Sequence, residues 1–95
     1  MAGISQTVVS LQSGKMEEVA KFIDSQSHLV TELEGIIGFA VAVTGKDEIT
    51  VTGIYESSKA AEAASDTVQK VFAEMAPLMA SPPERGVYSG IWFAK

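Results

Sequence analysis

Cysteine is missing from the chain altogether, which excludes a disulfide framework, a zinc–thiolate centre and a thiol nucleophile together. Basic charge is scarce: seven lysines and arginines stand against twelve acidic residues, for a net charge of −5. The seven (Lys15, Lys21, Lys46, Lys59, Lys70, Arg85 and Lys95) are scattered along the sequence. Phosphate backbones need a basic patch, so no nucleic-acid partner is expected. Long hydrophobic runs are also lacking. The longest, Ile36 to Val43, falls far short of the roughly 20 residues that span a bilayer, so no membrane association is expected. The N-terminus has neither a basic segment nor a continuous apolar stretch, and no secretion signal is read there. A cytoplasmic location is the expectation.

What is present is one domain's worth of chain: 95 residues, 46% of them hydrophobic, with no linker or low-complexity tract between residues 1 and 95. Ile4 to Leu11 is rich in β-branched residues and reads as a strand. Ser13 is placed to cap a helix with Glu17 and Glu18 in its first turn. Met16, Val19, Ala20, Ile23 and Val30 then form its apolar stripe, and Gly35 suits its left-handed end. Ile36 to Val43 is continuously apolar and reads as a strand buried on both faces. Thr44 to Asp47 makes a hairpin connection to the alternating strand Ile49 to Tyr55. Ser57 and Ser58 can cap a second helix with the stripe Ala61, Ala64, Val68, Val71, Phe72 and Met75. Pro77 should make it kink or restart before Pro82-Pro83 ends it, and a last strand runs from Val87 to about Phe93.

Strand, helix, strand, strand, helix, strand is the ferredoxin-like βαββαβ order. It predicts an α+β fold, with a four-stranded antiparallel sheet in the order 4-1-3-2 and two helices on one face. Two helices leave the other face open. The second strand carries no polar side chain, and the fourth sets Val87, Ile91 and Phe93 against Tyr88 and Trp92. An open apolar face normally marks a partner surface. A second copy of the chain, packed sheet to sheet as a homodimer, is the expected partner.

The stretch Thr52-Gly53-Ile54-Tyr55-Glu56-Ser57-Ser58-Lys59-Ala60-Ala61-Glu62-Ala63-Ala64 resembles the third-strand-to-second-helix junction of the dimeric α/β-barrel superfamily. More narrowly, it resembles the antibiotic biosynthesis monooxygenase-like domains. An aromatic residue ends the strand, an acidic residue and serines follow, and an alanine-rich helix begins. Glu34-Gly35-Ile36-Ile37-Gly38-Phe39 is similar to the family's entry to the second strand. The resemblance covers nearly the whole chain in length and element order. It implies two sheets forming a barrel in a homodimer, with a cavity between each sheet and its helices. The superfamily hosts varied chemistry, so the resemblance fixes no activity. Its haem-degrading branch uses an asparagine, a tryptophan and a histidine, at positions similar to Thr7, Ala64 and about Glu74 here. None of these can do the corresponding job: Ala64 cannot press on a macrocycle and Glu74 is a poor substitute for an axial imidazole, so haem degradation is not expected.

Residue chemistry narrows the field further. The one histidine, His28, lies on the polar side of the first helix with Lys21 and Glu32, where exposure is the expectation. The acidic pairs Glu17-Glu18 and Asp47-Glu48 do not converge, and no metal or other cofactor is expected. No serine has a glycine-flanked elbow or an activating histidine, and the isolated glycines form no phosphate-cradling loop. No catalytic residue is assigned. What remains is a set of aromatics and methionines. Phe39, Tyr55, Phe72, Met75, Tyr88 and Trp92 are the candidate lining of a pocket between the sheet and the second helix. Tyr55 leads, because the family junction ends its strand with an aromatic there. Tyr88 and Trp92 share one strand face and would alternatively meet the partner subunit. A small apolar or aromatic metabolite is the expected ligand. Binding ranks ahead of the alternative, a cofactor-independent monooxygenase-like enzyme acting on an aromatic or quinol-type substrate. No titratable group is set up for proton transfer. A ligand-free structural or assembly role ranks third.

Overall fold

β-branched residues at Ile4, Thr7, Val8 and Val9 favour extended backbone, and strand β1 occupies Ala2–Ser10 in the computed structural model, which describes all of Met1–Lys95. Helices α1 (Met16–Asp24) and α2 (Leu29–Glu32) follow, then the strands β2 (Ile36–Gly45) and β3 (Glu48–Tyr55). Helices α3 (Ser58–Ala63) and α4 (Ser65–Glu74) lead to a 3₁₀ turn at Ala76–Leu78 and strand β4 (Glu84–Gly90). The four strands form one antiparallel sheet in the order β2-β3-β1-β4, the expected ferredoxin-like arrangement. Val9 and Ile49 of the sheet join Val19 of α1 and Phe72 of α4 in one buried cluster, so both helical layers cover the same face. None of the helices is long and apolar enough to cross a membrane.

Each expected helix is in fact two. The first breaks at Ser25–His28, where Ser25 Oγ donates to the Phe22 carbonyl and competes with the helical ladder. After the break, Leu29 and Leu33 turn inward while Val30, expected in the stripe, is 42% exposed. Gly35, at φ 77°, closes α2 in the left-handed conformation anticipated for it. Ser13 does not cap α1; its N-cap position falls to Lys15, with no side-chain hydrogen bond. Ser57 does cap α3, accepting from the Ala60 N–H at 3.1 Å. At Pro77 the chain takes the second of the two expected courses: α4 ends at Glu74 and the chain restarts as the 3₁₀ turn.

Two sheet details position the site. A bulge between Ile36 and Gly38 inserts one residue, so that Ile36 and Phe39 both face the helices and Ile37 turns outward. The register then aligns two rows on the helix face: Phe39, Gly53, Ser5 and Val87, and beside it Val41, Val51, Thr7 and Arg85. The last strand begins three residues earlier than expected, directly after Pro83, and ends at Gly90. Ile91, Trp92 and Phe93 therefore lie beyond the sheet, at 68%, 38% and 92% exposure. β2 is not buried on both faces either: its large side chains Phe39 and Val41 face the helices, whereas Ala40 and Ala42 are exposed on the other side.

Candidate functional site

The buried residues fall into two clusters. One is built on Val9, Val19, Ile49 and Phe72; the other comprises Tyr55, Ala61 and Ala64. Between the sheet and the helices lies a cavity of about 70 Å³, walled by β1, β2 and β3 below and by α1, α2 and α4 above. Of the six candidate residues, Phe39, Tyr55, Phe72 and Met75 line it. Tyr88 does not. It pairs with Ile4 on the opposite face of the sheet, where its ring is 58% exposed. Trp92 lies past the end of β4 and is absent from the lining as well. Strand alternation separates Val87 from Tyr88, but it carries no information about which of the two faces the helices.

Gly53 gives the cavity its shape. A Cβ there would sit 2.7 Å from Ser5 Oγ and 2.9 Å from the Tyr55 ring at Cε1. The missing side chain lets the Tyr55 ring lie back over its own strand, with the hydroxyl of Ser5 beside it. Thr7 is the next inward residue of β1. Ser5, Thr7 and Tyr55 are buried, at 5%, 2% and 2% exposure. Their hydroxyls make no hydrogen bond to any other group of the chain. Nor are these oxygens sealed off, since Arg85 Nε is the one fully enclosed polar side-chain atom without a partner. They are polar handles on an otherwise apolar wall that includes Leu33, Val51 and Val68.

Sequence patterning missed Ser5 and Thr7, because Gly3-Ser5-Thr7 is the more polar alternation of β1 yet faces inward. It also missed α2, whose Leu29 roofs the cavity together with Leu33 just after the helix. The lining contains no carboxylate and no imidazole. His28 is exposed, with Nδ1 3.2 Å from the Ser25 carbonyl and Nε2 3.8 Å from Glu32 Oε2. No three histidine, aspartate or glutamate side chains gather as a metal site. Haem does not fit either. Thr7 and Ala64 are buried small residues, Glu74 is exposed on α4, and the cavity has room for only a few waters.

Comparison with protein-family models gives no match to this sequence, and comparison with curated proteins gives none. Solved structures do match. A candidate antibiotic biosynthesis monooxygenase of Nitrosomonas europaea superimposes with a TM-score of 0.78 at 17% identity, over 96% of this chain and 91% of its own. A similarly described protein of Caulobacter crescentus gives 0.76 at 19% identity over the same fractions. SnoaB, a cofactor-independent oxygenase of Streptomyces nogalater, gives 0.75 at 7% identity, over 97% of this chain and 95% of its own. At such identities the likeness is one of fold. The chain has a ferredoxin-like α+β fold, shared with solved proteins described as antibiotic biosynthesis monooxygenases.

Proposed function

We propose that this protein binds a small apolar or aromatic molecule between its sheet and its helices. The observation that carries this reading is the set of three buried hydroxyls, Ser5, Thr7 and Tyr55, which face an apolar cavity without a protein partner. Accessible hydroxyls in an apolar wall, with no partner in the chain, favour a ligand group that accepts from or donates to them. At about 70 Å³ the cavity is small beside pockets of about 300–1,000 Å³ that hold drug-sized ligands. Entry therefore needs a wall that moves. Helix α2 suits that role: it is four residues long, has no buried residue, and follows the irregular turn Ser25–His28.

Pairing of two subunits through the open sheet face belongs to the same reading. Ile4, Ile54 and Tyr88 offer that face apolar surface, though Gln6, Thr50 and Thr52 interrupt it. Exposed Ile91 and Phe93 lie just beyond its edge strand.

A second reading is favoured by the fold shared with the cofactor-independent oxygenase SnoaB. Such chemistry draws on the reactivity of the substrate itself, and the protein supplies a dry, oriented pocket. The hydroxyls of Ser5, Thr7 and Tyr55 would then orient a quinol-type substrate. No group lining the cavity is a strong base, which keeps binding ahead of catalysis.

Naphthalene-1,4-diol tests both. Titrated without oxygen, it should bind saturably and at least tenfold more weakly to Gly53→Val, whose side chain would intrude on Ser5 and Tyr55. Absence of saturable binding, or equal binding to the variant, would refute the proposed site. On admission of air, oxygen uptake above the uncatalysed rate would put the oxygenase reading first; binding with uptake at the background rate would eliminate it.

A further inference from the structure

On the far side of Thr7 and Phe72, which line both spaces, lies a larger cleft of about 540 Å³ between α4, β4 and the segment Met79–Pro83. We infer that this cleft is a second binding site, in which Arg85 anchors the carboxylate of a small acid with an apolar body. The inference stands apart from the reading of the first cavity.

Arg85 is the starting point. It is half-buried on β4, directly across from Thr7 in the sheet register. Nη1 donates to Ser65 Oγ at 2.7 Å and Nη2 to the Ala61 carbonyl at 3.0 Å. These two contacts fix the plane of the guanidinium, and both partners are neutral. Nε is enclosed and donates to nothing. A guanidinium carries five N–H donors; with Nε enclosed and one hydrogen of each Nη engaged, one hydrogen on Nη1 and one on Nη2 remain unpaired.

Its charge is uncompensated as well. Twelve acidic residues are available in this chain, yet neither the Lys15–Glu18 ion pair nor the His28–Glu32 contact involves Arg85. No acidic side chain of the chain lies against the guanidinium, so an anion arriving with a ligand would meet an unopposed positive charge.

The cleft around Arg85 specifies what could bring it. Phe72, Ala76, Met79 and Pro82 give apolar walls, while Gln69 and Ser81 add hydrogen-bonding groups nearby. Its volume lies within the usual range for small-molecule sites. A planar guanidinium fork matches a carboxylate. One cation suits a single negative charge better than a phosphate's two, particularly in a protein with net charge −5. An apolar acid fills both halves of the cleft.

Titration of ¹⁵N-labelled protein with 2-naphthoate and with its neutral counterpart, 2-naphthamide, tests this. The acid should move the amide signals of Ala76, Ala80, Ser81 and Arg85, and should bind about tenfold more tightly than the amide. Arg85→Gln should remove that preference, and Arg85→Lys should keep part of it. A role limited to tying β4 to α3 would alter stability but would create no preference for acid over amide. Should Arg85→Gln fail to fold, the comparison on the unmodified protein decides alone. Equal affinity for acid and amide, no binding of the acid at millimolar concentration, or shifts confined to Phe39, Gly53 and Tyr55 would each overturn the inference. The last outcome would leave the first cavity's proposed function standing.

Discussion

Gly3 and Gly53 show how much a single hydrogen in place of a methyl can decide. A Cβ on Gly3 would come within 2.6 Å of the Ser57 carbonyl carbon and 2.7 Å of Ser58 Cα. Both are backbone atoms at the start of α3, and neither can yield without moving the helix. Gly3→Ala should therefore destabilise by about 1–3 kcal/mol, lowering the melting temperature by roughly 4–8 °C per kcal/mol. A melting temperature within a degree of the parent's would contradict that packing. Gly38, by contrast, has open space around it, and Gly38→Ala should leave stability nearly unchanged. At this scale the site was half legible. Phe39, Tyr55, Phe72 and Met75 reach the cavity through spacing that the sequence displays. Tyr88 and Trp92 do not, because alternation tells which residues share a face without telling which face is covered. Arg85 was hidden for a related reason. Glu84-Arg85-Gly86 reads as a polar turn after two prolines, and only pairing with Ser65 and Ala61 explains a guanidinium folded in under the helices.

For elements, strand and helix identities and their order follow from periodicity and punctuation, and the structure agrees throughout. Breaks within helices do not. The second apolar stripe runs on past the interruption at Ala64, whereas the first changes register at Ser25–His28, where Val30 turns outward and Leu29 and Leu33 turn inward. The break records competition for backbone hydrogen bonds that apolar spacing does not display. The two serine caps differ in a testable way. Ser57→Ala removes a real cap and should cost about 1 kcal/mol, whereas Ser13→Ala should cost nothing, because Ser13 caps no helix. Equal losses of stability in urea titration would show that the α1 terminus is misassigned. Helix α2, with no buried residue, should exchange its amide hydrogens orders of magnitude faster than the central strand β1. Comparable protection would remove the movable wall on which ligand entry depends.

Taken as a molecule, the protein covers one face of its sheet and leaves the other open. The two faces should respond differently to charge. Val41→Asp places a carboxylate beneath the helices, against Val51 and the main core, and should unfold the protein. Ile54→Asp changes the open face and should leave circular dichroism intact while weakening self-association. Sedimentation of the parent protein near twice its 10.0 kDa chain mass is expected at micromolar concentration; a particle of single-chain mass would exclude sheet-to-sheet pairing. The central claim concerns the covered face, and it is tested most directly by locating a bound ligand. With naphthalene-1,4-diol bound in the absence of oxygen, nuclear Overhauser contacts should run from its ring protons to the methyl groups of Leu33, Val51, Val68 and Val71, all of which line the cavity. Contacts to Ile4 and Ile54 on the open face, or none at saturating ligand, would contradict the claim that the space between sheet and helices is a binding site.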